Sequence, residues 1–209
     1  MSWSQILHTE LADVVMDMIE TNVDSKLLTY HNMEHVDAMY AYLEETNEYY
    51  DEALDWAILF HDAVYDAQPE KERRSAELFT NLVKTFDGCV LGDAGKERVV
   101  ELIMSTVDHV VTKPSMSPII RADLAGLANP LNTFWNYSKI MLESKNLYGV
   151  TEYDFAVANV KYMQKLRNSV NLNWSKDGQH ARFYSAVKRG INQTINISKM
   201  LQGYDCGEI

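Results

Sequence analysis

Between Ile6 and Met18 the apolar residues Ile6, Leu11, Val14, Val15 and Met18 share one stripe, and the same spacing returns through Val36, Met39, Tyr40 and Leu43. Steps of three and four match the turn of an α-helix, whereas a half-buried strand alternates its side chains. With only 9 Gly and 4 Pro in 209 residues, the chain is also poor in the turn formers that a many-stranded β fold needs. The expected architecture is an all-α helical bundle, and at 24.0 kDa a single domain spanning 1–209.

The helices can be placed along the chain. Two cover residues 3–20 and 34–46, and a third, DEALDWAILFHDAVY at 51–65, opens on acids that suit a helix N-terminus. Pro69 marks the start of a fourth that runs to about Phe86; the Gly-containing connection FDGCVLGDAG then leads to a helix at 93–108. SPIIRADLAGLA starts another, with Pro118 in its first turn and Asn129-Pro130 as its stop. Segments at 131–146, 151–170 and 177–201 follow, and the polar tail GYDCGEI is expected to fray.

Composition narrows the functional classes. Cys89 and Cys206 stand far apart without a partner motif, so neither a disulfide framework nor a cysteine zinc site is indicated, and both read as reduced thiols. No uncharged apolar run is long enough to cross a bilayer, and the first twenty residues carry acids throughout, which reads as cytoplasmic. A net charge of −11 would repel a nucleic-acid duplex or an anionic membrane. An anionic ligand would need local positive charge.

Chemistry-bearing residues cluster in a few places. His31 and His35 are four apart, so a helix beginning near 31 would set both imidazoles on one face, and spacing alone allows both to be ligands. His61 and Asp62 interrupt the apolar run WAILFHDAV, on or beside the core-facing stripe. A carboxylate flanked by Phe60 and Val64 needs compensation, and a divalent cation accepts both carboxylate oxygen and imidazole nitrogen. Asp123 is likewise a lone acid among Ile119, Ile120, Leu124 and Leu127, with Arg121 as an alternative partner, and His109 is a further candidate. Each taken alone could be a hydrogen-bonded core residue or a helix cap. Mixed imidazole and carboxylate donors suit Zn²⁺, Mn²⁺, Fe²⁺ or Ni²⁺.

The order His35, then His61-Asp62, then Asp123 resembles the H…HD…D ligand order of the HD superfamily of metal-dependent phosphohydrolases, an all-helical group. YHNMEH is similar to the Y-H-N-x-x-H signature of cyclic-nucleotide phosphodiesterases, and ADLAGLANP to their A-D-L-S-N-P stretch with an insertion. YHNMEHV, ILFHDAVYD, ERRSAE, MSTVDH and RADLAGLA, in that order, look most like the small bacterial and phage HD phosphohydrolases. The resemblance covers about 28–128 and only loosely the helices of 131–201.

What the resemblance implies is specific. His35, His61, Asp62 and Asp123 would bind a first metal ion, Asp62 would bridge to a second, and His31 would be the general acid. Glu72 and Ser75 match an acid and a serine in the helix after HD, the acid orienting water or ligating the second metal and the serine facing substrate; His109 matches a position after a Ser/Thr. Arg74, with Arg73 and Lys71, could supply the local positive charge, although Glu-Arg pairs on a solvated face explain these residues equally well. Tyr30 and Tyr65 stand beside the motifs and could stack on a base.

The expected function is hydrolysis of a small, nucleotide-like phosphate ester with one or two divalent ions among Mn, Mg, Zn, Fe and Ni. The oligomeric state stays open, a homodimer included. The competing expectations are an HD-like di-iron oxygenase and a non-catalytic module that holds metal or nucleotide.

Overall fold

The computed structural model describes residues 26–48, 51–85, 91–176 and 180–203. The expected helix at 3–20, Cys89, Cys206 and the tail beyond Gly203 lie outside them. The described residues form an all-α structure, without a strand. They fall into two compact units: one up to Val107 together with Lys113–Asp123, the other Asp108–Thr112 and the chain from Leu124.

In the first unit the helices are α1 (Met33–Glu45), α2 (Glu52–Phe60), α3 (Lys71–Thr85) and α4 (Asp93–Ser105), followed by a single 3₁₀ turn at Pro114–Met116 and the start of α5 (Ser117–Ala128). The hub is α2. Every residue from Ala53 to Phe60 is buried, and α1, α3 and α4 all pack on this short helix, which explains why, Asp55 apart, this stretch is apolar all round rather than along one stripe. Trp56, Phe60 and Phe79 pack their rings tilted or edge to face at centroid distances of 5.5–5.8 Å, and Val99, Leu102 and Ile103 of α4 complete this core. The fully buried carboxylate of Asp55 accepts a hydrogen bond from Tyr40, which ties α1 to the hub.

Several helix ends differ from the sequence expectation, each for a local reason. The third expected helix stops at Phe60 instead of 65, because Ala63 N–H turns back to Phe60 O (3.2 Å) and Val64 N–H donates to Ser75 Oγ (3.0 Å) instead of to a helical carbonyl. His61 and Asp62 therefore sit at a helix end and not within the helix. Pro69 stays outside α3, since Glu70 adopts a left-handed φ of 58° that breaks the helix before Lys71. Ser105 and Thr106 direct their hydroxyls to Leu102 O and Ile103 O (2.6 and 2.8 Å), and α4 ends at Ser105 rather than 108.

The second unit contains α6 (Pro130–Tyr148), α7 (Glu152–Lys176) and α8 (Ala181–Leu201), with α8 packed on both of the others. Asn129 both stops α5 and caps α6, its Oδ1 accepting Leu131 N–H at 3.0 Å with Pro130 in the first turn. Gly149, at φ 64°, closes α6 in the left-handed conformation that costs glycine nothing. Asn173 of α7 clamps the segment at 108–112: its amide donates to His109 O (2.7 Å) and its Oδ1 accepts Val111 N–H (2.8 Å). That clamp holds His109 at a left-handed φ of 55°, uncommon for a residue with a side chain. No helix among the described residues is long and apolar enough to cross a membrane.

Gly190 of α8 lies so close to the end of α5 that an added Cβ would stand 1.9 Å from Leu127 O, a backbone atom that no rotamer change can move. Gly190→Ala should therefore lower stability by about 1–3 kcal/mol or more, despite the better helix propensity of alanine. Urea unfolding should show this as a lower midpoint at unchanged slope; a raised midpoint would refute the close approach.

Candidate metal centre

The site begins with a helix cap. Asn32 Oδ1 accepts Glu34 N–H (3.0 Å) while its amide donates to Leu28 O (3.1 Å), so α1 starts at Met33 and His35 falls in its first turn, buried. His31 thus precedes the cap instead of sharing a helical face with His35, yet their rings remain 5.9 Å apart. The middle of Y-H-N-x-x-H is a capping residue between two imidazoles.

The second contribution comes from the C-terminal end of α2. His61, 1% exposed, donates from Nδ1 to Ile58 O (2.9 Å), so whenever the ring is neutral its lone pair sits on Nε2. Nε2 is 3.0 Å from Asp62 Oδ2, an ion-pair contact, and makes no well-formed hydrogen bond. Its ring centroid is 5.4 Å from that of His35. One ligand atom from each of His35, His61 and Asp62 lies within 4.8 Å of the others, and Asp123 joins through His35, Oδ1 to Nε2 at 3.1 Å. All four belong to the first unit.

Electrostatics favour positive charge at this point. Burial pulls the His61 pKa down, but the adjacent Asp62 carboxylate and, more weakly, Asp123 override it and lift the imidazole to about 9. Burial would raise Asp62, yet His61 and then His31 hold its carboxyl well below the usual range. Two carboxylates converging on two imidazoles around an orphaned buried Nε2 fit a divalent cation by donor type and by charge.

The remaining candidates divide. Tyr30 packs against both His31 and His35, at centroid distances of 4.8 and 5.1 Å. Tyr65 stacks on His31 at 4.0 Å with the rings 16° from parallel, and Lys71 Nζ lies 3.5 Å from the Tyr65 ring centroid. Glu72 occupies the first turn of α3, half-buried. Ser75 is fully buried and braces the HD turn through Val64 N–H. Arg74 grips Asp66 with two bonds (2.8 and 2.5 Å) and also reaches Pro69 O and Gln68 O, while Arg73 pairs with Glu70 and Glu77. His109 belongs to the second unit.

Arg121, the alternative partner for Asp123, instead pairs with Glu48 (Nη2 to Oε1, 2.5 Å) and Ser117. Sequence reasoning missed Glu48 entirely, since nothing in TNEYYDE distinguishes it from a surface acid. It also missed Asn32 as a cap, although an Asn ahead of Met-Glu-His was a readable signal. Neither a family model, nor a curated protein, nor a solved structure matches the chain.

The Arg74 pair holds the loop that follows the HD turn and has a testable pH dependence. Hydrogen bonding from Arg74 outweighs partial burial and lowers the Asp66 carboxyl from 3.8 to about 2. A lowered folded-state pKa stabilises above the ordinary carboxyl value, and the gain fades as pH falls from about 4 towards 2. With the Asp66 side chain 44% exposed, solvent screening keeps it below about 1 kcal/mol. Arg74→Met should cost up to that amount at neutral pH and clearly less in urea unfolding near pH 3; an equal cost at both would remove the pairing from the account.

Proposed function

We propose that this chain is a metal-dependent phosphohydrolase acting in the cytoplasm on a small, nucleotide-like phosphate ester. One observation carries the reading: His35, His61 and Asp62 offer ligand atoms within 4.8 Å of one another, around a buried Nε2 that makes no hydrogen bond, with Asp123 adjoining. The H…HD…D resemblance supports the same four residues as the ligands of a divalent ion.

When bound, such an ion supplies hydroxide from water near neutral pH and neutralises phosphoryl oxygens. The residues of the chain do the rest. The bond from His61 Nδ1 to Ile58 O presents the other nitrogen to the cluster, and Asp62 and Asp123 provide charge that offsets a cation. His31, its ring fixed between Tyr30 and Tyr65, is held beside the cluster to pass a proton to the departing oxygen. The Lys71 ammonium over Tyr65 adds positive charge on that side, which an anionic substrate requires in a protein of net charge −11.

Purified protein loaded in turn with Mn²⁺, Mg²⁺, Zn²⁺, Ni²⁺ and Fe²⁺ should release phosphate or nucleotide product from a panel of monoesters, cyclic nucleotides, dinucleotides and nucleoside triphosphates. Stoichiometric metal with no turnover on the whole panel would refute hydrolysis, and two irons with an oxygen-dependent optical change would replace it by oxidation. Asp62→Ala should lose metal and activity together, metal being read by elemental analysis. His31→Ala should keep the metal while the rate falls by about 10² or more, and an equal loss of stability without that selective effect would make His31 structural.

A further inference from the structure

Helix α6 buries one face and leaves an apolar one exposed. The first, with Thr133 and Tyr137, is buried in the second unit together with the carboxylate of Glu143. The other carries Leu131, Phe134, Trp135 and Leu142, which are 82, 54, 67 and 47% exposed. Their spacing, with Ser138 between, sets all five positions on a single stripe. Among the described residues nothing covers it.

We propose that this stripe docks a second copy of the chain, α6 against α6 and antiparallel, across a two-fold axis at Ser138. Size is the first argument. Side chains of this kind present on the order of 200 Å² when free, so the exposed fractions leave about 500 Å² per chain, more than scattered surface hydrophobes account for. Two such faces bury about 1,000 Å², the size at which a specific interface becomes credible.

Charge is the second. The chain has 30 acids against 19 bases, and two copies repel over most of their surface. From Leu124 to Leu142 there is no acid, the next one, Glu143, is buried, and the exposed charges of α6 are Lys139 and Lys145. This face is where two acidic chains can approach at least electrostatic cost. An anionic lipid surface would instead meet the field of the whole protein.

Shape settles the orientation. Antiparallel pairing about Ser138 sets Phe134 of one copy opposite Leu142 of the other, large ring against smaller branched chain, and lays the aliphatic stem of Lys145 along Leu131. It also separates the two Lys145 charges, which a parallel arrangement would juxtapose. At the centre, Ser138 Oγ already donates to Phe134 O (3.1 Å), so burying it strands no hydroxyl. The rings of Phe134 and Trp135 are braced edge to face at 6.0 Å, which limits the side-chain entropy that docking removes.

Sedimentation of the full chain over about 1–100 µM should show a monomer–dimer equilibrium, and Phe134→Glu with Trp135→Glu should weaken it at least tenfold without loss of helical circular dichroism. Ser138→Cys, in a background with Cys89 and Cys206 changed to Ser, should give a disulfide-linked dimer under mild oxidation, whereas Asn132→Cys should not. The cross-link is read on folded protein and stands even if the glutamate variants misfold. A chain monomeric throughout that range overturns the proposal, as does a dimer indifferent to these changes or a monomer captured by anionic vesicles. A monomer whose Trp135 fluorescence is shielded until residues 1–25 are removed overturns it as well, in favour of an internal occupant.

Discussion

Two polar contacts made from neighbouring positions of α5 organise the first unit. Arg121, only 1% exposed, reaches Glu48 just beyond the C-terminal end of α1, and Asp123, two residues on, meets His35 in the first turn of the same helix. Burying a guanidinium carries a large desolvation cost, which its carboxylate and hydroxyl partners must offset. Once Arg121 is so engaged, its helix is anchored at both ends of α1, and the Asp123 carboxylate is delivered to the imidazole. The acid that might have been neutralised by its sequence neighbour is left for His35.

The hub helix performs the matching task from the other side. Because α2 is short and enclosed on all sides, its end is defined by packing, and the turn after Phe60 is fixed from outside by the buried Ser75 hydroxyl. His61 and Asp62 therefore stand on a braced corner, with the imidazole oriented by its own helix carbonyl. A ligand set carried on such corners is held more tightly than one carried on free loops.

Much of this was legible in the sequence because it rests on local rules. The 3.6-residue period, Pro118 in a first turn and the Asn129-Pro130 stop all act within one or two helical turns, and the helices of the described residues follow them, although α6 ends at Tyr148 rather than 146 and α7 at Lys176 rather than 170. The boundaries expected at 65 and 108 shift where a distant or competing hydrogen bond intervenes, and the one at 69 where Glu70 turns left-handed. Ser75 takes the Val64 amide from eleven residues away, and the hydroxyls of Ser105 and Thr106 compete for carbonyls that would continue α4. Periodicity carries no information about such partners.

By itself the sequence determined an all-α chain in which histidines and acids interrupt apolar helical stretches, because hydrophobic spacing and the cost of burying an unpaired charge are readable residue by residue. Tertiary structure alone decided which of these groups meet. His35 and Asp123 are 88 residues apart, Arg121 and Glu48 are 73, and only packing could assign Asp123 to the imidazole and Arg121 to the glutamate. Tertiary structure also decided that the face of α6 with Thr133, Tyr137 and Glu143 is turned inward while the more apolar stripe is left facing water, the reverse of what hydrophobic spacing alone indicates.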